Sequence, residues 1–175
     1  MDTPMPNWAF QGMSFLFVVR DLLEPRARVL QEVELAPGAR VLDYGCGPGT
    51  YVPHVAERVG AAGRVYALDL HPLAIERVQE LAHRRRLDNV ETIQSDCRTG
   101  LPDGSVDVVL LYDIFHMLSE PDGILAELHR VLRQGGALSL LDPHMAEEDL
   151  VSGVTRGGLF ALADKGERTY RFTKC

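Results

Sequence analysis

Apolar and polar positions follow two different spacings along most of the chain, which predicts strands alternating with helices. Short apolar runs of strand length are separated by segments whose apolar residues recur every three or four positions. The predicted strands are 40–43, 64–70, 90–95, 106–111, 137–142, 158–163 and 169–173. The predicted helices between them are 50–59, 72–86, 123–133 and 146–155. Strands joined by crossover helices favour an α/β fold with a doubly wound, mostly parallel, seven-stranded sheet.

Several helix boundaries carry local signals. Thr50 is of a type that caps helices, and Pro72 suits the first position of a helix because its missing N–H costs nothing there. The pair Gly135-Gly136 is predicted to end the helix that begins near residue 123.

The two ends of the chain depart from the alternation. Residues 14–34 have apolar positions at the spacing of one buried helical face, which predicts one or two helices with a break at Glu24-Pro25. These helices belong to a predicted N-terminal cap formed by residues 1–34. At the other end, two strand-like segments flank the turn-forming residues 164–167. This pattern predicts a terminal antiparallel hairpin over residues 158–174.

Composition limits the class of protein. The chain has 175 residues, of which 46% are hydrophobic and 25% charged, as in an ordinary globular protein. This length predicts one domain over residues 1–175, with the binding core at residues 40–142. Eighteen Lys and Arg against 25 Asp and Glu give a net charge of −7. This balance argues against nucleic acid as the main partner, because phosphate binding calls for a basic face.

Cysteine usage and hydropathy predict a cellular location. The three cysteines are widely spaced and form no C-x-x-C pair, which disfavours a disulfide framework and favours a reducing cytoplasm. No apolar stretch reaches the length of a membrane span, and the start of the chain lacks a signal-peptide pattern. We therefore expect a cytoplasmic protein without a membrane anchor, while the sequence carries no signal of oligomeric state.

The strongest chemical signal is the run V-L-D-Y-G-C-G-P-G-T at residues 41–50, between a predicted strand and a predicted helix. Gly45, Gly47 and Gly49 leave the backbone open to a ligand at the carboxyl end of the sheet, where doubly wound folds bind ligands. The G-x-G-x-G spacing differs from the G-x-G-x-x-G of dinucleotide sites, and no G-K-[ST] follows. The run predicts a nucleoside-like ligand without a pyrophosphate; a purely structural glycine turn is the alternative.

Acidic residues end the next two predicted strands. Asp69 can accept hydrogen bonds from both hydroxyls of a ribose, and Leu70 can cover one face of a purine. Asp96 can accept a hydrogen bond from an adenine amino group, while the backbone N–H of Cys97 can face a ring nitrogen. The structural alternatives are a helix cap for Asp69 and a local loop turn for Asp96.

Taken in order, these motifs resemble those of the class I S-adenosylmethionine-dependent methyltransferases over nearly all of residues 40–142. The glycine run resembles that family's first motif, and the strand ending at Asp69 resembles its acidic second strand. Segments 96–102, 105–118 and 128–138 are similar to its later motifs, with Gln134 where many members carry proline.

The resemblance implies a Rossmann-like fold, S-adenosylmethionine as cofactor, and a last strand that runs antiparallel. It implies cofactor contacts by Asp43, Gly45, Cys46, Gly47 and Gly49 around the methionine part, Asp69 on the ribose, Leu70, Asp96 and Cys97 at the adenine, and the Leu111 carbonyl or Tyr112 near the amino acid end.

Methyl transfer by in-line displacement depends on alignment, worth about 7–11 kcal/mol, and on exclusion of water. A general base adds about 10²–10⁴-fold where the acceptor must lose a proton. The candidates are Tyr112, Asp113, His116 and His144, and none is singled out as catalytic. His116 on a helix is more typical of a packed side chain, and His144 fits a loop at the rim of the site. The scattered histidines lack metal-binding spacing, which predicts no metal.

The acceptor is predicted to be a small molecule, and the sequence does not indicate which of its atoms receives the methyl group. The acidic charge, the absence of Asn/Asp-Pro-Pro-Tyr after the fourth strand and the lack of an evident second domain favour this interpretation. The apolar residues of segment 1–24 either cover the ligand as a lid or pad the sheet, and both interpretations stand equally; they are Trp8, Phe10, Met13, Phe15 and Phe17.

Two other functions compete with methyl transfer. A non-catalytic cofactor-binding module or partner subunit would keep the same fold, since fold alone does not determine activity. A nicotinamide-dependent reductase shares the use of an acidic residue after the second strand, but the glycine spacing and the terminal hairpin disfavour it.

Overall fold

A computed structural model describes residues 6–10, 12 and 26–175 of the chain, with a seven-stranded sheet in the order β3-β2-β1-β4-β5-β7-β6. The strands are β1 Arg40–Tyr44, β2 Arg64–Asp69, β3 Val90–Gln94, β4 Val106–Tyr112, β5 Leu132–Leu141, β6 Phe160–Lys165 and β7 Tyr170–Lys174. Strands β1 to β5 pair in parallel, whereas β7 is antiparallel to both β5 and β6. The predicted fold, with its terminal hairpin, is confirmed.

Helices cover both faces of the sheet. They are α1 Arg26–Val29, which continues as a 3-10 turn Leu30–Glu32, α2 Val52–Val59, α3 Pro72–Arg85, α4 Pro121–Val131 and α5 Glu147–Thr155, with a second 3-10 turn at Phe115–Met117. One core contains Leu42 and the buried faces of α4 and α5, and the other contains Val41 and the faces of α1 and α2. Alternate residues of β1 therefore enter opposite cores, as a central parallel strand requires.

Two predicted boundary signals are wrong. The residue before α2 is Tyr51, and no side chain caps that helix; the N–H of Val52 donates to the Gly49 carbonyl instead of to Thr50. The glycine pair predicted to end α4 lies within β5, where pairing with β4 slips between Leu132 and Ala137. A Cβ on Gly136 would lie 2.8 Å from a backbone oxygen of β4, so this bulge needs glycine.

The hairpin turn lies two residues further along than predicted, at residues 166–169, because a distant carboxylate holds it. Glu32 accepts hydrogen bonds from the N–H groups of Arg168 and Thr169, at 3.1 and 2.9 Å, and from the Thr169 hydroxyl at 2.9 Å. A Cβ on Gly166 would collide with the same carboxylate. The turn is therefore anchored to the 3-10 turn after α1.

Most of the predicted N-terminal cap, including Glu24-Pro25 and lid candidates Met13, Phe15 and Phe17, lies outside the described residues. Trp8 is 78% exposed, whereas Phe10 is buried with its ring stacked on that of His71 at 4.3 Å. Among the residues that the structure describes, none forms a helix of the length and hydrophobicity that a membrane crossing requires.

Candidate functional site

The glycine loop joins β1 to α2 at the carboxyl edge of the sheet. Gly45, Gly47 and Gly49 have φ angles of 77°, 53° and 82°, in the left-handed region that side chains disfavour. The N–H groups of Gly45 and Cys46 both donate to the Leu68 carbonyl, at 2.8 and 2.9 Å. The loop is thereby tied to the end of β2, and the Cys46 side chain packs into the core beside α2.

The three glycines have different surroundings. A Cβ on Gly45 would collide with the side chain of Ile114, and one on Gly49 would lie 2.8 Å from a methyl group of Val78. A Cβ on Gly47 would meet no heavy atom within 4 Å. Gly45 and Gly49 are thus needed for internal packing, whereas Gly47 faces open space at the edge where the sequence predicted a ligand.

Asp69 connects the loop to the start of α3. Its carboxylate accepts the N–H of Gly47 and the N–H of His71, each at 2.8 Å and each on a different oxygen. Burial raises the pKa of Asp69, and these backbone hydrogen bonds partly oppose the rise. A carboxylate offers about four acceptor positions, so capacity remains for two further donors such as vicinal hydroxyls.

Asp43 is the least satisfied polar group of the site. Its side chain is buried, and its Oδ2 has no hydrogen-bond partner among the described residues. Burial, and then the negative charge of Asp69, raise the pKa of Asp43 to about 7. An unpartnered buried carboxylate oxygen is costly, and a cationic donor such as an ammonium group would relieve the cost.

The predicted adenine contacts follow β3. The Asp96 carbonyl accepts a hydrogen bond from the Tyr44 hydroxyl at 3.2 Å, while its carboxylate bonds to none of the described residues. The N–H of Cys97 donates to Ser95 Oγ at 3.3 Å, so it must leave that partner before it can meet a ring nitrogen. Leu70 is half-buried beside Asp69.

Leu111 and Tyr112 end β4 with their side chains inside the two cores. The Tyr112 hydroxyl bonds with Ser139 Oγ at 2.8 Å, and its ring packs edge-on against Tyr51. Burial is the main cause of a large rise in the Tyr112 pKa. The hydroxyl of Tyr112 is therefore unsuited to serve as a base, which removes one predicted candidate.

Two histidines and an aspartate meet where β4 and β5 end. Asp142 has a fully buried side chain that accepts His116 Nδ1 at 2.8 Å and the His116 N–H at 3.0 Å. The N–H of His144 donates to the same carboxylate at 3.2 Å, and the two imidazole rings lie 4.6 Å apart. His116 lies in the 3-10 turn, and its side chain is 28% exposed although Asp142 holds its ring.

The pairing of His116 with Asp142 was not predicted. The two residues are far apart in sequence, and the one signal available was that each follows a strand of the same parallel sheet. The remaining base candidate, Asp113, has φ of 57° and donates its N–H to the Leu141 carbonyl at 2.8 Å. In the described part of the chain, no group of three or more His, Cys, Asp or Glu side chains is arranged to hold a metal ion.

A cavity lies at the opposite, amino-terminal edge of the sheet, and its lining includes Arg133, Arg171 and Glu34. Arg133 pairs with Asp107, and Arg171 lies 3.8 Å from Glu34. The charged side chains of this cavity are therefore already paired within the protein.

Comparison with known proteins agrees with this geometry. The family model described as "Methyltransferase domain" matches residues 42–140. A solved S-adenosylmethionine-dependent methyltransferase from Aquifex aeolicus superposes with a TM-score of 0.77 at 29% identity, covering 89% of this chain and 91% of that one.

Two curated relatives have different named acceptors. The aklanonic acid methyltransferase DauC of Streptomyces sp. (strain C5) is 34% identical over 70% of this chain and 57% of its own. The ribosomal protein L11 methyltransferase of Burkholderia mallei is 34% identical over 70% of this chain and 38% of its own. The chain thus spans less than two thirds of the length of either relative.

Proposed function

Because the chain belongs to the methyltransferase domain family of class I S-adenosylmethionine-dependent enzymes, we propose that it transfers a methyl group from S-adenosylmethionine to a small-molecule acceptor. The observation that carries the proposal is the unpartnered, buried Oδ2 of Asp43 beside the open face of Gly47. A buried anion next to a backbone cradle suits a ligand that combines an ammonium group with a nucleoside.

Each part of the cofactor has a partner of matching chemistry. Asp43 would accept the ammonium group, with Gly45, Cys46, Gly47 and Gly49 supplying the backbone around the methionine part. Asp69 would accept the two ribose hydroxyls, since its backbone partners use about half of its acceptor capacity. The Leu111 carbonyl and the Tyr112 backbone are proposed near the amino acid end.

At the other end, the purine would lie against Leu70, with its amino group on the Asp96 carboxylate. The Cys97 N–H is available to a ring nitrogen once it exchanges its 3.3 Å bond to Ser95 Oγ, which is long for a hydrogen bond and therefore weak.

The cofactor supplies a methyl group activated by attachment to a positively charged sulfur. The protein's part is to hold this group against the acceptor and to keep water away, and alignment of this kind is worth about 7–11 kcal/mol. Asp43 and Asp69 would fix the two ends of the cofactor to one rigid sheet edge. The acceptor would then lie beyond β1, over the ends of β4 and β5.

A small acceptor is favoured by charge. A net charge of −7 opposes attraction to polyanions, and one relative is named for aklanonic acid, a small molecule. The relative named for ribosomal protein L11 makes a protein acceptor the competing possibility, so a ribosomal protein fraction is one of the acceptors to test. The cysteine pattern supports a cytoplasmic location as part of the same proposal.

Calorimetric titration with S-adenosylmethionine and S-adenosylhomocysteine tests the proposal first. We expect both to bind the wild type, and Asp43→Asn to weaken binding at least tenfold. Glu34→Gln, an acid that is 90% exposed at the opposite edge, is the matched control and should bind normally. Absence of binding by a folded wild type would refute the proposed function.

Release of S-adenosylhomocysteine in the presence of candidate acceptors tests the second half of the proposal. Phenols, quinols, amines, thiols and a ribosomal protein fraction are offered separately. Turnover with a small molecule supports the proposal, and turnover with the protein fraction alone refutes the small-molecule part. Cofactor binding without turnover in any arm would instead favour a non-catalytic module.

A further inference from the structure

The imidazole of His116 is held at the carboxyl edge of β4 and β5 by the buried carboxylate of Asp142. Both carboxylate oxygens lie within 3.0 Å of His116 Nδ1, and one of them also accepts the backbone N–H of His116. We propose that His116 is the general base of the reaction, that Asp142 positions it, and that the acceptor atom is the oxygen of a weakly acidic hydroxyl. This inference rests on the proposed function.

The hydrogen bonds determine which ring nitrogen is available. An ionised carboxylate is an acceptor only, so Nδ1 of His116 must carry the hydrogen that it donates to Asp142. The neutral ring then has its lone pair on Nε2, which bonds to none of the described residues. A fixed tautomer with a free, partly exposed lone pair is what proton abstraction requires.

Asp142 holds the His116 ring in one orientation. Among the described residues, no lysine or arginine forms an ion pair with this carboxylate; its other partner is the backbone N–H of His144. A buried acid in this arrangement orients the imidazole ring without taking the proton itself.

The strand order places this pair beside the proposed cofactor. The carboxyl edge runs from Asp96 after β3, through Asp69 after β2 and the glycine loop after β1, to β4 and β5. A cofactor held with its adenine over β3 and its methionine part over β1 would present its methyl group toward β4 and β5. Ile114, two residues before His116, closes directly on Gly45, so the 3-10 turn borders the loop.

Nε2 of His116 accepts the hydroxyl proton, and a lone pair of the acceptor oxygen forms the bond to the methyl carbon. The carbon–sulfur bond breaks, and its electron pair remains on sulfur. The products are a methyl ether, neutral S-adenosylhomocysteine and an imidazolium whose proton can pass to solvent, because His116 is 28% exposed.

A weakly acidic hydroxyl is the acceptor class that gains most from such a base. A carboxylate is already ionised near neutral pH and needs no proton acceptor, and a tertiary amine has no proton to lose. A phenol or enol, by contrast, attacks poorly until its proton leaves, so a base worth about 10²–10⁴-fold is useful to it.

Nitrogen-15 NMR of histidine-labelled protein tests the geometry without turnover. In the free protein, His116 should be the Nδ1–H tautomer, and Asp142→Asn should mix the tautomers; His116→Asn assigns the signals. S-adenosylmethionine and S-adenosylhomocysteine differ by one methyl group and one positive charge, so the Nε2 signal should differ between their complexes. An Nε2–H tautomer, or identical Nε2 signals in the two complexes, would overturn the inference.

Phenol and 4-nitrophenol test the base in turnover, because 4-nitrophenol is largely ionised at about pH 8 and phenol is not. His116→Asn should lower kcat/KM for phenol by about 10²–10⁴-fold and that for 4-nitrophenol far less. Asp142→Asn should show the same selectivity with a smaller loss. His129→Asn, at a histidine of α4 whose ring lies 3.5 Å from the Cys175 carbonyl, should leave both rates unchanged.

The outcomes separate the two proposals. Equal losses for both phenols would mean that His116 only shapes the site, which overturns the inference. Turnover with amines or thiols, but with none of the phenols and quinols of the acceptor screen, would overturn the hydroxyl class. Failure to bind either cofactor form would refute the proposed function itself.

Discussion

The carboxylate of Asp69 accepts the backbone N–H of Gly47 at 2.8 Å, which joins the end of β2 to the loop that follows β1. The same carboxylate accepts the N–H of His71 at the start of α3. The helix cap that the sequence offered as the alternative role for Asp69 is supplied by His71 instead, whose Nδ1 accepts the N–H of Leu73 at 3.1 Å, so Asp69 braces the residue that caps α3.

Replacing Asp69 should weaken cofactor binding and also destabilise the loop, because an Asn amide has one acceptor oxygen for the two backbone N–H groups that Asp69 binds. Asp69→Asn keeps the side-chain shape but loses the charge and some acceptor capacity, and hydrogen bonds to charged groups contribute about 1.5–3 kcal/mol each. We expect S-adenosylhomocysteine to bind about 10–100-fold more weakly in calorimetric titration. Unchanged affinity would show that Asp69 serves the loop and helix alone.

Asp43 should make the free protein less stable as pH rises. Its folded-state pKa is about 7, above the ordinary value of 3.8, so between these values the folded state binds more protons than the unfolded state. The contribution of Asp43 to the free energy of unfolding is then largest below about pH 4. It declines as pH rises to about 7, by an amount of the order of 3–5 kcal/mol. Urea unfolding at a series of pH values should show this slope in the wild type.

Asp43→Asn should flatten that slope and make the free protein more stable than the wild type above about pH 7. Glu34→Gln, exposed and remote, should retain the wild-type pH dependence. Equal slopes for wild type and Asp43→Asn would contradict the assignment of the slope to Asp43.

Cofactor binding should release protons near neutral pH. With a pKa of about 7, Asp43 is about half protonated at pH 7 in the free protein, and an ammonium group beside it would favour the ionised form. We expect release of up to about half a proton per S-adenosylmethionine bound, measured by calorimetry in buffers of different ionisation enthalpy. Asp43→Asn should abolish the buffer dependence, whereas proton uptake by the wild type would contradict the prediction.

Features of this fold that depend on local sequence could be predicted, and those that depend on contacts between distant residues could not. The seven strands were predicted from sequence because apolar runs and turn residues are local signals, and the positions of the glycine loop and Asp69 at the ends of β1 and β2 follow from the same strand boundaries. Asp43 was suggested by family resemblance, since nothing local in the sequence indicates an unpartnered carboxylate.

The features that the sequence did not predict depend on contacts between residues far apart in sequence. The early start of β5 at Leu132 depends on the ladder with β4, and the position of the hairpin turn depends on Glu32 at the far end of the chain. The contact of His116 with Asp142 exists because β4 and β5 are neighbours in the sheet. Hydropathy and spacing carry no information on such pairs.

Glu32 should stabilise the fold through the hairpin turn. Glu32→Ala removes three hydrogen bonds and leaves the buried Thr169 with unsatisfied donors, which should cost about 2–4 kcal/mol in urea unfolding. Hydrogen exchange should accelerate at residues 166–169. Glu34→Ala, two positions away and exposed, should cost less than about 0.5 kcal/mol; an equal cost for both variants would contradict the anchoring role.

Gly47 and Gly38 allow backbone strain to be separated from ligand exclusion. Both have positive φ angles, 53° and 84°, and a Cβ on either would meet no protein atom within 4 Å. Alanine should therefore cost each site a similar strain, of the order of 1 kcal/mol in unfolding free energy. Only Gly47 lies in the loop that Asp69 holds, so only there would the added methyl group enter the proposed cofactor space.

We accordingly expect Gly47→Ala to weaken S-adenosylhomocysteine binding at least tenfold, and Gly38→Ala to leave it unchanged at equal stability loss. Calorimetric titration, paired with urea unfolding of both variants, measures the two effects separately. Normal binding by Gly47→Ala would place the cofactor away from this loop, whereas equal weakening in both variants would attribute the loss to strain. A selective loss at Gly47 locates the methionine part at the open face of the loop.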